Sequence, residues 1–527
     1  MTRSIDIGIG IGTGTSIGIG IGIGTGIGIV TGVSPPLANS IAAHRFGLAE
    51  PSLQPLGNDP RGWLLAQLGP ADSERGAGLA SGVQGLRRLV EYQQQQAQAR
   101  RVGAGGDGKA MTSPMTSPMT EAAMRSTEQQ FGEHFRSIVQ SDVRARLLTA
   151  AVSARPFNER LALFWANHFT VSMAKASARG IVGAYQREAI RPHIGGSFEA
   201  LLSAAVKHSG MLRYLDNELS AGPNSRVVQR LARAPRQAGE GGPRVTGLNE
   251  NLAREVLELH TLGAVSAGTA QGYTQADVTE FARVLTGWRV PLRELMTQTA
   301  EANAALPHGG TRFDPAWHEP GPKTVLGRSY AEGPDALDAV LRDLARHPAT
   351  ARFIAIKLAR HFVADDPPSA LVARLEARFL QSSGDLPSVY RALVESPEAW
   401  APQPAKLKSP EEFVVSSVRL LGLGAQAFER QPDGGIGALG QRMLAAPSPA
   451  GWPDKAEEWL GPDAVWKRVE WATRVADRVG GRFDARDLAR QSLGERLSDD
   501  TGRQIERAAD GRQALALLLL SPEFQRR

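Results

Sequence analysis

Residues 249–288 read as two helices joined by a short Gly-rich link, and the first is crowded with ionisable groups that a plain core helix does not need. On a 3.6-residue period Asn251, Glu255, Glu258 and Leu262 share one face, with Arg254 at its edge. Leu252, Val256 and Leu259 form the adjoining apolar stripe. Two carboxylates, an amide and a guanidinium therefore border the core stripe instead of opposing it. His260 points away from both glutamates, so a Glu–His metal pair inside this helix is not expected. Thr274 with Asp277 makes a capping-box variant that opens the second helix, and Gly287 stops it.

Helical spacing of apolar residues recurs along most of the chain. It predicts helices at 84–101, 121–154, from Pro156 onward, 198–215, 334–346, 349–363, 368–381, 386–395 and from Ser409. Asp59 followed by Pro60 predicts a further capped start. Strands are expected only as short pieces near 311–313 and 323–326. The fold class that follows is all-α, a multi-helix bundle architecture with long loops and at most a few short strands. Four stretches are expected: 1–40, a low-complexity Gly/Ile segment; 41–120, a helical region and linker; 121–400, a central helical domain carrying the acidic helix; and 401–527, a C-terminal helical region.

Residues 5–33 nearly alternate Gly with Ile or Thr, which disfavours a helix. The segment is too broken for a membrane span. As an export signal it has one early base, Arg3, and a passable cleavage site at 38–40. The competing reading is a repeat expansion or a misassigned start. Periplasmic, secreted and cytoplasmic locations all stay open. A second flexible linker with a repeated M-T-S-P is expected at 103–120, and a loop at 221–247.

Lys plus Arg outnumber Asp plus Glu by 60 to 54, and no basic run is interleaved with aromatics, so nucleic acid is not an expected partner. With no cysteine, disulfides, thiolate metal sites and a Cys nucleophile are excluded. No H-E-x-x-H, Walker A, G-x-S-x-G or dinucleotide-binding glycine fingerprint is present.

The candidate site residues come from this setting. Glu255 and Glu258 are the candidate catalytic carboxylates. His168, Asp216, Asp314 and His318 are candidate ligands for a divalent metal ion, because carboxylate and imidazole suit a hard or borderline cation. Such an ion would activate water for hydrolysis or oxidation. Without it, one glutamate could act as a general base, its pKa raised by the other. For each there is a plainer alternative. His168, beside Trp165, fits a core histidine bonded to a carbonyl. Asp216, at a helix C-terminus, needs a positive neighbour or is simple turn chemistry. Glu250–Arg254 and Arg254–Glu258 are i,i+4 pairs and fit a salt-bridge network. Lys357 and His361 sit one turn apart on an apolar helix, where a buried Lys calls for a carboxylate. Trp459, Trp466 and Trp471 are expected as packing anchors.

N-E-N-L-A-R-E-V-L-E-L-H-T-L-G followed by G-Y-T-Q-A-D-V-T-E-F-A-R-V-L-T-G-W resembles the bacterial domain-of-unknown-function 1800 family. F-W-A-N-H-F, the Y-L-D-N turn, H-E-P-G-P-K-T-V-L-G, K-S-P-E-E-F, P-S-P-A-G-W-P and the terminal S-P-E-F resemble family features in the same order, covering about residues 41–527. The resemblance implies a mainly helical protein and brings no established reaction. It also implies a possible partner, a secreted sulfatase-like protein of the domain-of-unknown-function 1501 family, and with it an envelope setting. Two functions are therefore carried forward: a carboxylate/His site for metal-assisted hydrolysis or oxidation, and a non-catalytic scaffold for that sulfatase-like partner. The first expects His168, Asp216 and Glu255 to converge in one pocket. The second expects the acidic face to be sealed and the turn at Trp452 to be exposed.

Overall fold

The computed structural model describes residues 33–104, 121–233, 247–269, 272–297, 299, 302 and 306–527. Most of the Gly/Ile segment and residues 105–120 of the linker lie outside these, as do 234–246 of the predicted loop. The passable cleavage site at 38–40 lies within the helix Pro35–Ile41, where Ser40 and Ile41 are buried.

Helices carry the structure, as the apolar spacing requires. Among them are α1 (Pro156–His168), α2 (Gln275–Leu285), α3 (Pro348–Phe362), α4 (Pro410–Leu420) and α5 (Pro462–Val479). Sheet is confined to two antiparallel pairs: β1 (Trp288–Arg289) with β2 (Arg312–Phe313), and β3 (Lys323–Val325) with β4 (Arg328–Tyr330). Among the described residues no helix is long and apolar enough to cross a membrane. One apolar core runs from Ile41 to Phe524. At its centre Trp165 is fully buried; its indole N–H donates to the Tyr390 hydroxyl at 2.6 Å, which donates in turn to the Ile194 carbonyl at 3.1 Å. A buried Trp keeps its polar edge only where such a partner exists.

Local chemistry sets the helix starts. Pro156, Pro348, Pro410 and Pro462 occupy first turns, where the missing N–H costs nothing. The capping box at Thr274 and Asp277 is formed, and a second joins Ser409 to Glu412. Asp59 caps the helix Pro60–Leu65, accepting from Gly62 N at 2.8 Å. Gly287, at φ +91°, turns the chain just past α2.

The structure departs from simple periodicity in three places. The acidic helix is α-helical only over Asn251–Glu255 and widens to a π-helix over Val256–Thr261. The i→i+5 bonding rotates the later residues, so Leu257, His260 and Thr261 are buried while Leu259 is only half-buried. The predicted helix at 198–215 is two helices, Phe198–Lys207 and Ser209–Tyr214. His208 breaks it by taking ψ 140°, and its Nδ1 then caps the second by accepting from Gly210 N at 3.0 Å. Of the three expected anchors, Trp459 and Trp471 are buried, but Trp466 is 62% exposed on the outer face of α5.

Candidate functional site

A cleft of about 330 Å³ opens between α1, α3, the start of α4 and the loop 441–455. Leu163, Phe164, Val171, Met443 and Leu444 give it an apolar wall. Its rim is pinned by Asn167, one residue before the end of α1. The Asn167 amide donates to the Trp452 carbonyl at 2.9 Å, and the Trp452 N–H donates back to Oδ1 at 2.8 Å. The fit requires Gly451: its φ is +85°, and a Cβ there would lie 2.5 Å from the Asn167 carbonyl oxygen. Trp452 is therefore half-buried against the cleft rather than exposed.

The same lining carries a network of paired charge, with Arg146, His361, Glu411, Glu412 and Asp454 all on the cleft. Glu411 pairs with Arg146 at 2.7 Å. Glu412 caps Ser409, accepting from its N–H at 2.9 Å, and also accepts from Arg160 and, at 2.9 Å, from Arg527. Burial pushes the Glu412 carboxyl up, but Arg160 and Arg527 outweigh it and bring it down to about 2. Asp454 meets His361 Nδ1 at 3.0 Å and Lys406 at 3.5 Å. Burial raises Asp454 too, yet His361, Lys406 and Arg527 hold it well below the usual carboxylate range. Burial lowers His361, opposed by the Asp454 carboxylate beside its Nδ1. Its other nitrogen, Nε2, is buried without a hydrogen bond, 3.9 Å from Glu412 Oε1.

Lys357, one turn before His361, lines the same cleft. Lys357 is half-buried, and the carboxylate that such a lysine calls for is missing among the described residues. Its turn-mate His361 has taken Asp454, and no carboxylate of the described residues comes within 4.0 Å of the Lys357 amine. The ring of Phe353, 5.6 Å away, is its nearest defined contact. Burial lowers the amine from an ordinary lysine's 10.5 to about 8, only partly opposed by Asp454. Arg360, also on the lining, donates to the Asp365 carbonyl at 3.0 Å and pairs with no carboxylate among the described residues.

The six residues singled out from the sequence are not brought together. His168 is buried, and its Nε2 lies 3.1 Å from the His260 carbonyl, the plain core arrangement. It does line the cleft, and its Nδ1 has no partner. Asp216, in the left-handed region at φ +56°, pairs with Lys175 at 2.5 Å, the positive neighbour its helix end required. Asp314 faces Arg289 at 3.7 Å. His318 is held by the Thr286 carbonyl at 2.7 Å and by Lys323 at 2.9 Å. Glu255 and Glu258 are half-buried, neither sealed nor within the cleft lining. Arg254 reaches Glu250 at 3.3 Å and Glu258 at 3.6 Å, so both i,i+4 pairs are formed. Burial, then Glu258, raise the Glu255 carboxyl. Among the described residues no three His, Asp or Glu side chains are grouped as a bound metal ion requires.

Sequence reasoning noticed Lys357, His361 and the Trp452 turn but did not join them, and it passed over Asn167, Glu411, Glu412 and Asp454. The available signal was that F-W-A-N-H-F, K-S-P-E-E-F and P-S-P-A-G-W-P, three stretches behind the family resemblance, each supply residues to this cleft.

A family model described as "Protein of unknown function (DUF1800)" matches residues 42–526, and the chain belongs to this family. No curated protein and no solved structure matches it.

Proposed function

We propose that this member of a family without an assigned reaction binds a small organic anion, a carboxylate or phosphate ester on an apolar body, in the cleft between α1, α3 and α4. One observation carries the reading: the Lys357 amine stands on the cleft wall with no counter-ion among the described residues, while the carboxylates that share the lining, Glu411, Glu412 and Asp454, are already paired. A charge drawn partly out of water without a partner is costly, and a ligand that completes it recovers that cost. The cleft volume lies in the range of small-molecule sites, and an apolar wall with a few placed polar groups is their usual make-up. Arg360 adds a second cation without a carboxylate partner. Binding, rather than proton transfer, is what the geometry favours, because His361 Nε2 faces Glu412 and not the open space.

Calorimetric titration of the full chain with phenyl phosphate, benzoate and benzyl alcohol tests this. The two anions are expected to bind and the alcohol is not. Lys357→Met is expected to abolish binding, and Lys357→Arg to retain part of it. Equal binding of the alcohol, or unchanged affinity in Lys357→Met, would overturn the reading.

A further inference from the structure

A second cavity, of about 470 Å³, lies between α4, the turn 423–438 and α5. Its floor is apolar: Val418, Leu421, Trp471, Val475 and Val479. Trp471 is fixed there by donating its indole N–H to the Gly434 carbonyl at 2.9 Å. The close approach needs Gly435, at φ +94°, where a Cβ would meet the indole nitrogen at 2.8 Å. The rim is cationic. Arg474 and Arg478 follow each other at i,i+4 on α5, Arg482 continues the line, and Arg430 faces them from the turn. All four are exposed, and none makes an ion pair with a carboxylate among the described residues. Glu429 is the sole acid on the lining. Elsewhere on the surface arginines pair readily, as Arg490 does with Asp487 and Arg503 with Asp500. Like charges at i,i+4 destabilise a helix, and Val475 and Val479 remain half-exposed at the floor beside the buried Val418, Leu421 and Trp471.

We infer that this cavity binds a single-chain amphipathic anion, an alkyl carboxylate or alkyl phosphate, with the chain over Trp471 and Val475 and the head between Arg474, Arg478 and Arg430. Charge complementarity decides the head and the floor decides the tail. A free phosphate would leave the floor wet, and a neutral lipid would leave four guanidiniums unmatched. The site shares no residue with the Lys357 cleft, so either can fail alone.

The test is calorimetry of the full chain with dodecyl phosphate below its micellar concentration, beside dodecanol, inorganic phosphate and vesicles of anionic phospholipid. One-to-one binding of dodecyl phosphate is expected, with dodecanol and inorganic phosphate at least about tenfold weaker. Arg474→Gln/Arg478→Gln, both exposed and unpaired, is expected to keep the fold and weaken dodecyl phosphate by at least about tenfold, with Lys357→Met without effect. Dodecanol binding equally well, the double variant binding as the parent does, or binding to vesicles alone would each overturn the inference.

Discussion

Replacing Lys357 by Met should make the protein more stable. Lowering the amine from 10.5 to about 8 corresponds to about 3 kcal/mol of preference for the neutral form in the folded state. At neutral pH the amine is charged both folded and unfolded, so the fold carries that penalty in full. Between pH 8 and 10.5 the unfolded chain binds the extra proton, and stability therefore rises with pH across this window. Above it the penalty is gone. Lys357→Met removes the charge and keeps the length of the side chain. It is expected to raise stability at pH 7 by up to about 3 kcal/mol, the advantage shrinking toward zero by pH 10.5. Guanidinium unfolding of parent and variant at half-unit pH steps measures the difference. Titration of [13Cε]lysine-labelled protein locates the amine directly, near pH 8. An anion that binds at Lys357 should stabilise the parent according to its affinity and leave the variant unmoved. A variant no more stable at pH 7, or one whose advantage persists unchanged at pH 10.5, would refute the argument. The first outcome would mean that the charge is compensated; the second, that the gain is packing.

Three further outcomes follow from the same network. Glu412→Gln leaves Arg160 and Arg527 facing a neutral amide in the interior, and should cost about 3–5 kcal/mol at pH 7. Because the parent carboxyl lies at about 2 when folded, its contribution is present above pH 4.5 and lost as pH falls toward 2, so the acid arm of the stability profile should flatten in the variant. Asn167→Ala removes both hydrogen bonds to Trp452 and should cost about 1–3 kcal/mol together with the cleft's affinity for benzoate; Gly451→Ala, forced to φ +85° against the Asn167 carbonyl, should reproduce both losses, and an unchanged affinity in either would show that the turn does not shape the cleft. Protein purified without chelator or affinity nickel is expected to carry no stoichiometric divalent ion at Glu255 and Glu258, because Arg254 already pairs with Glu258; elemental analysis showing a metal that Glu255→Ala/Glu258→Ala loses while still folded would restore the metal reading there.

What the sequence disclosed depended on the range of the physics involved. Helix existence and caps are local, set by apolar spacing, Pro at first turns and side chains that bond their own backbone. These are legible to within a residue or two, as Thr274–Asp277 shows, and β2 and β3 fall where short strands are expected, whereas their partners β1 and β4 are not foreseen and β1 reaches β2 from a distant part of the chain. The π-widening after Glu255 was not legible, because it answers to the packing of His260 and Thr261 in the core and not to propensity. For Asp216 the sequence leaves a positive neighbour and simple turn chemistry both open; the partner it has, Lys175, lies 41 residues away, where no spacing rule could nominate it.

The acidic helix drew attention because its charges border an apolar stripe, yet residue type alone does not separate an active site from a salt-bridge network; only the partners do. At Arg254 the partners lie one turn to either side, and the charges close on themselves in the half-exposed setting where such pairs contribute about 1 kcal/mol or less. The cleft is the opposite case. Asn167, Lys357, Glu412 and Asp454 are far apart in sequence, each unremarkable in its own segment, and they converge through α1, α3, α4 and the turn at Gly451. There, Arg160, Arg527, Lys406 and His361 use up the carboxylates and leave the Lys357 amine on the cleft wall without one. That imbalance is a property of the assembled interior, invisible in any window of sequence. It is also why Lys357, noted only as a lysine in want of an acid, is where the fold gives up stability that a ligand can return.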